Sequence, residues 1–188
     1  MTFKSYFNNL ILLVFLSGCV TVPKPTVEER KLLKDLPVHL KKEMQILFPS
    51  ALRWYKETEL SLYEKGRILT KREVEVAYEL GVKNPHDVRV IILNTFPMPT
   101  DKRLLKKAKG YGLGSKFEDG RTMGNLIILK PRYKNDSVVL THELVHVAQK
   151  DRMGREALLK RYILELEVLG YSRSDIEHEA YEKQRKIK

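Results

Sequence analysis

The sequence predicts an α+β domain dominated by helices, and three observations carry that prediction. Apolar residues recur at helical spacing towards both ends of the chain, two short runs rich in β-branched residues lie between them, and a later apolar run holds two histidines and a glutamate. At 188 residues, 43% of them hydrophobic, the chain has room for one domain with a real core.

The first residues, "MTFKSYFNNLILLVFLSGC", stand apart from that domain. Lys4 gives a weakly basic start, residues 10–16 form an unbroken apolar run, and Ser17 and Gly18 are small residues leading to Cys19. The run is too short to span a bilayer. Leu16-Ser17-Gly18-Cys19 resembles the lipobox of bacterial lipoprotein signal peptides; a short membrane anchor or an ordinary signal peptide is the alternative. The resemblance implies cleavage before Cys19, lipid such as palmitate on its thiol, and a location in the bacterial cell envelope. Val20 follows the cysteine where an aspartate would signal retention, which implies the outer membrane, facing the periplasm, in a two-membrane bacterium. Residues 1–18 are then the signal and 19–26, with Pro23 and Pro25 and no helical period, a lipidated tether. Residues 27–188 form a single domain.

Cys19 is the only cysteine, so its lipidation leaves no thiol for a disulfide, a nucleophile or a metal ligand. The formal charge of +11 falls to +10 when Lys4 leaves with the signal. That surplus suits anionic headgroups or an acidic envelope polymer, but the basic residues are mixed with glutamate, as in "KLLKDLPVHLKKE", and read as a solvated surface. An exported lipoprotein with no basic strip is not expected to bind nucleic acid.

Along the domain, residues 27–80 read as helical. Ser50 is expected to cap a helix carrying Leu52, Tyr55, Leu60, Leu62 and Tyr63, while Thr70 and Glu73 form a capping box before Val74, Ala77 and Leu80, with Gly81 as the stop. Trp54, Tyr55 and Tyr63 are expected in the core or along a groove. "DVRVIIL" (87–93) and "NLIILK" (125–130) read as strands, and the glycine-rich "GYGLGSKFEDGRTMG" between them as a loop or hairpin. No G-K-[ST] follows those glycines, which argues against a phosphate loop. "REALLKRYILELEVLG" then sets Ala157, Leu158, Tyr162, Leu166 and Leu169 at helical spacing before Gly170. A last helix starts within 172–175 and carries "IEHEAYEKQ".

Before these two helices lies "VVLTHELVHVAQKDRMG", for which Asp136 or Ser137 is the expected N-cap. His142 and His146 are four apart and share one helix face, with Glu143 beside them. Such groups in an apolar run are costly unless something satisfies them, and a zinc ion, Zn2+, takes neutral imidazoles at about 2.0–2.1 Å. This is the H-E-x-x-H pattern, in whose chemistry Glu143 binds no metal and takes the proton of an activated water. Three fixed positions also recur on helices by chance, but the apolar surroundings favour zinc.

Two histidines leave zinc short of a protein ligand, and the last helix offers Glu177 and Glu179, with His178 the weaker candidate. Glu177 has a rival role in a capping box with Ser174, and Glu179 as an ordinary exposed acid. At this point the residues resemble the gluzincin metallopeptidases, in which two helical histidines and a downstream helical glutamate hold the zinc. "Glu177-His178-Glu179-Ala180" matches the E-x-E-A form of that third ligand, which implies Glu177 and a zincin-like domain with an HExxH active-site helix. Tyr181 stands where several of these families have an aspartate supporting a zinc histidine, and "NLIILK" is similar to their edge strand above the metal. Helix phase agrees on Glu177: Ala180 and Tyr181 share its face, whereas Glu179 shares its own with Glu182 and Lys183.

Two functions are consistent with these residues. One is a zinc-dependent hydrolase, a peptidase tethered to the envelope membrane through Cys19 and acting on a peptide or protein there, with Glu143 as general base. The other is a non-catalytic envelope lipoprotein with an assembly or scaffold role and a structural or degenerate zinc site. A structural site needs no carboxylate beside its first histidine, which favours the enzyme.

Overall fold

The computed structural model describes residues 24–187, so the signal, Cys19 and most of the tether lie outside the described residues. The architecture is α+β: seven α-helices are described, and four short strands form one mixed sheet in the order β1-β2-β4-β3. No helix among the described residues is long and apolar enough to cross a membrane.

Thr26 opens α1 (Val27–Lys34) with a complete capping box to Glu29. The next helix, α2 (Val38–Leu62), corrects the expected break at Ser50, because it runs through Pro49 without interruption. Proline removes one helical hydrogen bond and disfavours helix at the residue before it, which is why the sequence suggests a new start there. Packing overrides that preference. Met44, Ala51, Tyr55 and Thr58 form one buried stripe across the proline, while Gln45, whose carbonyl loses its partner, is exposed to water.

The expected capping box of Thr70 and Glu73 starts α3 (Lys71–Leu80), and Gly81 ends it in the left-handed conformation at φ 92°. β1 (Arg67–Ile68) pairs antiparallel with β2 (Arg89–Ile92), and β2 pairs parallel with β4 (Leu126–Leu129). The crossover between those parallel strands holds α4 (Lys102–Gly110), capped by Asp101, and β3 (Gly120–Met123). The glycine-rich segment therefore supplies a strand, which pairs antiparallel with β4 as a hairpin. This corrects the edge assignment. "NLIILK" becomes an interior strand buried on both faces, and the edge beside it belongs to β3.

The sheet divides the core by its two-residue period. Val90, Ile127 and Leu129 pack with α3 and α5 (Ser137–Met153), whereas Tyr55, Phe96, Met123, Leu126 and Ile128 form the layer on the other face. The chain closes with α6 (Arg155–Val168) and α7 (Asp175–Gln184). In α6 Leu158 and Leu166 are buried, but Ala157 is exposed, contrary to the expectation for it.

A buried carboxylate pins the β3–β4 turn to both flanking helices. Glu59 of α2 accepts from the Asn125 N–H at 2.7 Å and pairs with Arg155 of α6 at 2.6 Å. Tyr55 takes the Gly124 N–H, and Lys150 of α5 reaches the Asn125 side chain. A side chain at Gly124, whose φ is 73°, would overlap the Glu59 carboxylate. Glu59→Ala strands a main-chain donor and a guanidinium, so its urea midpoint should fall by the equivalent of about 2 kcal/mol, and an unchanged midpoint would remove the pin from this account.

Candidate metal centre

Asp136 caps α5, its carboxylate accepting from the N–H groups of Val138 and Val139 at 2.8 and 3.0 Å. The helix then carries His142 and His146 to one face, where their Nε2 atoms lie 3.2 Å apart. Glu177 reaches both from α7, Oε2 standing 3.2 Å from His142 Nε2 and Oε1 3.6 Å from His146 Nε2. Among the described residues these three form the group able to hold a metal ion. Glu179 does not join them: it pairs with Arg152 at 2.7 Å and Lys183 at 3.0 Å. His178 does not join them either.

The hydrogen bonds behind the histidines decide which nitrogens face inward. Gln149 donates its amide to the Ile176 carbonyl at 2.9 Å, which turns its Oε1 toward His146 Nδ1, 2.8 Å away. An amide oxygen only accepts, so Nδ1 carries the hydrogen and Nε2 presents a bare lone pair. Gln184 Oε1 stands 2.9 Å from His142 Nδ1, an arrangement that suits the same tautomer. Two nitrogen lone pairs and a carboxylate therefore face one another, and Glu177 Oε2 is buried without a hydrogen-bond partner. Ligands about 2.0–2.1 Å from a tetrahedral ion lie about 3.3 Å from each other, close to the separations found here. The donor set fits a small divalent cation.

With no cation bound and the imidazoles protonated in its stead, burial would still raise the Glu177 carboxyl, but the charges of His146 and His142 and the hydrogen bonds from His142 and Tyr162 outweigh it and hold it at about 2. Burial lowers His142, and the hydrogen bond to Glu177 with the charges of Glu143 and Glu177 reverses that, leaving a net rise. Tyr162 donates to Glu177 Oε1 at 2.7 Å, and burial together with the Glu177 charge pushes its phenol well up, so it stays protonated. Tyr181, 40% exposed, leans its ring over His142 at 4.7 Å and meets the Tyr171 hydroxyl at 3.2 Å.

Glu177 keeps this position because α7 is anchored at its start. Ser174 accepts from the Glu177 N–H at 3.3 Å, but the reciprocal half of the expected capping box is missing because the Glu177 side chain is committed to the histidines and Tyr162. The Ser174 N–H goes instead to the Tyr171 carbonyl at 3.2 Å, and Glu165 of α6, 1% exposed, braces the helix start by taking the Ser174 hydroxyl at 2.7 Å and the Ile176 N–H at 3.1 Å. Arg161 neutralises it at 2.6 Å.

Glu143 is buried but stands outside the ligand group. Thr122 of β3 donates to its Oε2 at 2.6 Å, and a Cβ at Gly120 would lie 2.5 Å from its Oε1. Gly120, Thr122, Glu143 and the ligand group all line one cleft of about 740 Å³. Sequence reasoning passed over Gln149, Gln184, Tyr162 and Thr122. The two glutamines carry a signal, since Gln149 follows His142 and Gln184 follows Glu177 by seven residues, two helical turns along the same face.

Metal analysis of the mature chain should find a single divalent ion, lost in His142→Ala and His146→Ala. Glu177→Ala should lower affinity far more than Glu179→Ala, and Gln149→Ala should lower it roughly 10- to 100-fold by freeing the His146 ring. Competition against a chromophoric chelator measures each, and equal losses for the two glutamate variants would reject the assignment. No family model, curated protein or solved structure matches this chain.

Proposed function

We propose that this chain is a zinc-dependent hydrolase, a peptidase held at a bacterial envelope membrane by lipid on Cys19. The observation that carries the proposal is Glu143: a buried carboxylate that, among the described residues, has no lysine or arginine paired to it, fixed by Thr122 and lining the same cleft as the ligand group. Burying such a charge for structure alone is costly. As a proton carrier beside a metal it has a purpose. The scaffold alternative gives no account of it.

His142, His146 and Glu177 would hold the ion. A bound zinc supplies Lewis-acid polarisation of a substrate carbonyl and a water whose pKa falls to about 7. The chain's own residues do the rest. Glu143 accepts the water's proton on Oε1, the oxygen against Gly120, while the Thr122 hydroxyl holds Oε2 in place. It then delivers that proton to the leaving amine. Tyr162 keeps the Glu177 carboxylate oriented.

The edge of β3 suits an extended polypeptide. Lys130 donates to the Asp119 carbonyl, and in an antiparallel ladder this places Arg121 and Met123 in the bonded pairs with β4. The main-chain groups of Gly120 and Thr122 therefore point to the free side, next to Glu143, where an added strand would bond to them.

Glu143→Gln should keep the fold and the metal yet lower hydrolysis by at least about a hundredfold, because the amide cannot accept a proton. Casein-derived peptides followed by mass spectrometry, with metal content measured on the same sample, test this, and full turnover in the variant would reject the proposal. Labelling cells with a tagged fatty acid should mark the wild-type chain and not Cys19→Ser; an unmarked wild type would reject the lipid anchor.

A further inference from the structure

The cleft that holds Glu143 and the ligand group extends far beyond them, between α2, α4 and α6. Its walls there are apolar, with Leu47, Trp54, Leu104, Leu159 and Leu166 among them. Its rim is apolar as well. Phe117 is 74% exposed and Val138 53% exposed, and both line the cleft together with Tyr171 and Tyr181, which also leave large parts of their rings open to solvent. Exposed apolar side chains gathered around one opening mark a binding surface.

Among the described residues, the charges in the cleft outside the candidate centre are all committed elsewhere. Lys107 sits between Glu43 and Glu167 at 2.9 Å from each, Glu118 and Arg121 pair at 2.7 Å, and Asp119 pairs with Arg132 at 2.6 Å. Arg121 is further held by the Pro97 carbonyl and by the Trp54 and Phe96 rings. Apart from these pairs the charged side chains lining the cleft are Glu143 and Glu177, both part of the candidate centre. An enzyme that trims chain ends must fix a terminal ammonium or carboxylate, and a desolvated terminus without an opposite charge is costly. Among the described residues the cleft offers no free cation, and its unpaired carboxylates are those of the candidate centre itself, so no charge is left over to fix a terminus.

We propose that the cleft binds an internal, uncharged and apolar segment of polypeptide, its backbone along the β3 edge and its side chains against the α2–α4 wall, so that cleavage falls inside chains and not at their ends. This deepens the peptidase reading and rests on it. The free main-chain groups of Gly120 and Thr122 select polypeptide over a lipid chain, and the committed charges select apolar interior over terminus.

Trp54, the only tryptophan in the chain, reports occupancy without any need for metal or turnover. The full chain in phospholipid nanodiscs is titrated with a ten-residue peptide, acetylated and amidated, with leucine and phenylalanine at its centre. The metal-free chain should show a saturable Trp54 emission change, and the zinc-loaded chain should cut the peptide internally. Placing aspartate or lysine at the centre should weaken binding at least about tenfold, as should Phe117→Ala for the apolar peptide, a rim substitution that leaves the core intact. Freeing either terminus of a short peptide should not improve binding. Preference for a free terminus, equal binding of charged and apolar centres, or a Trp54 response to fatty acids and not to peptides would overturn the inference. A selective Trp54 response without hydrolysis by the zinc-loaded chain would leave the binding assignment standing and reject the peptidase reading, so the two fail separately.

Discussion

Two imidazole lone pairs and a carboxylate pointing at one another in a protein interior repel unless a cation lies between them, and much of the molecule is arranged to hold them there. His142 and His146 come from α5 and Glu177 from α7, so the centre depends on how those two helices meet. Ala180, fully buried one turn after Glu177, lets them approach closely. Glu165 fixes the start of α7, and two ion pairs fasten the neighbouring segment to α1: Arg30 grips Asp175 with both guanidinium nitrogens, and Arg173 reaches Glu29 at 2.6 Å. The Glu29 carboxylate also caps α1, so one residue ties the helix nearest the tether to the turn that leads into α7.

The second requirement is that Glu143 keep its place beside this cluster, and here the sheet does the positioning. β3 lies at the edge, with Gly120 and Thr122 facing α5 and Arg121 and Met123 facing α2, so one strand touches the carboxylate on one face and anchors in the core on the other. Glu59 and Tyr55 hold the turn that follows. A glycine at position 120 is required by proximity, since any β-carbon would meet the Glu143 side chain.

What the sequence made legible follows from local rules. The Thr70–Glu73 box, the two β-branched runs and the facing of Glu177 over Glu179 rest on spacing within one element, and one-dimensional information suffices for them. What it concealed depends on tertiary contact. The sequence leaves open whether the glycine-rich segment is loop or hairpin, because β3 is strand only where β4 offers it a partner, and its own residues, Gly-Arg-Thr-Met, have no apolar alternation to announce it. The helical course through Pro49 depends on a buried stripe whose partners lie far along the chain. Gln149 and Gln184 read as ordinary polar helix residues until α5 and α7 are brought together. Where the motif that the sequence resembles would set an acid behind a histidine, Tyr181 only leans on the ring, and Gln184, one turn further along its helix, offers the acceptor for His142 Nδ1.

That exchange of acid for amide has an electrostatic consequence suited to this cleft. With both histidines neutral, a bound divalent ion would be balanced by the carboxylates of Glu177 and Glu143. A carboxylate behind either histidine would add a third charge to a cavity whose other walls are apolar or internally paired, where an uncompensated ion is expensive. The amides hold the same tautomers without that charge. Glu179, the acid closest to doing otherwise, touches only the amide nitrogen of Gln149 at 3.2 Å, and Arg152 and Lys183 hold its carboxyl down at about 2 despite burial. Its charge is thereby kept one residue back from the histidine, balanced at the surface, while its hydrogen bond helps to point the amide oxygen inward. The choice of glutamine over an acid behind the histidines and, among the described residues, the pairing of every charge in the cleft outside the centre are two expressions of one constraint: no surplus charge around a cleft open to an apolar partner.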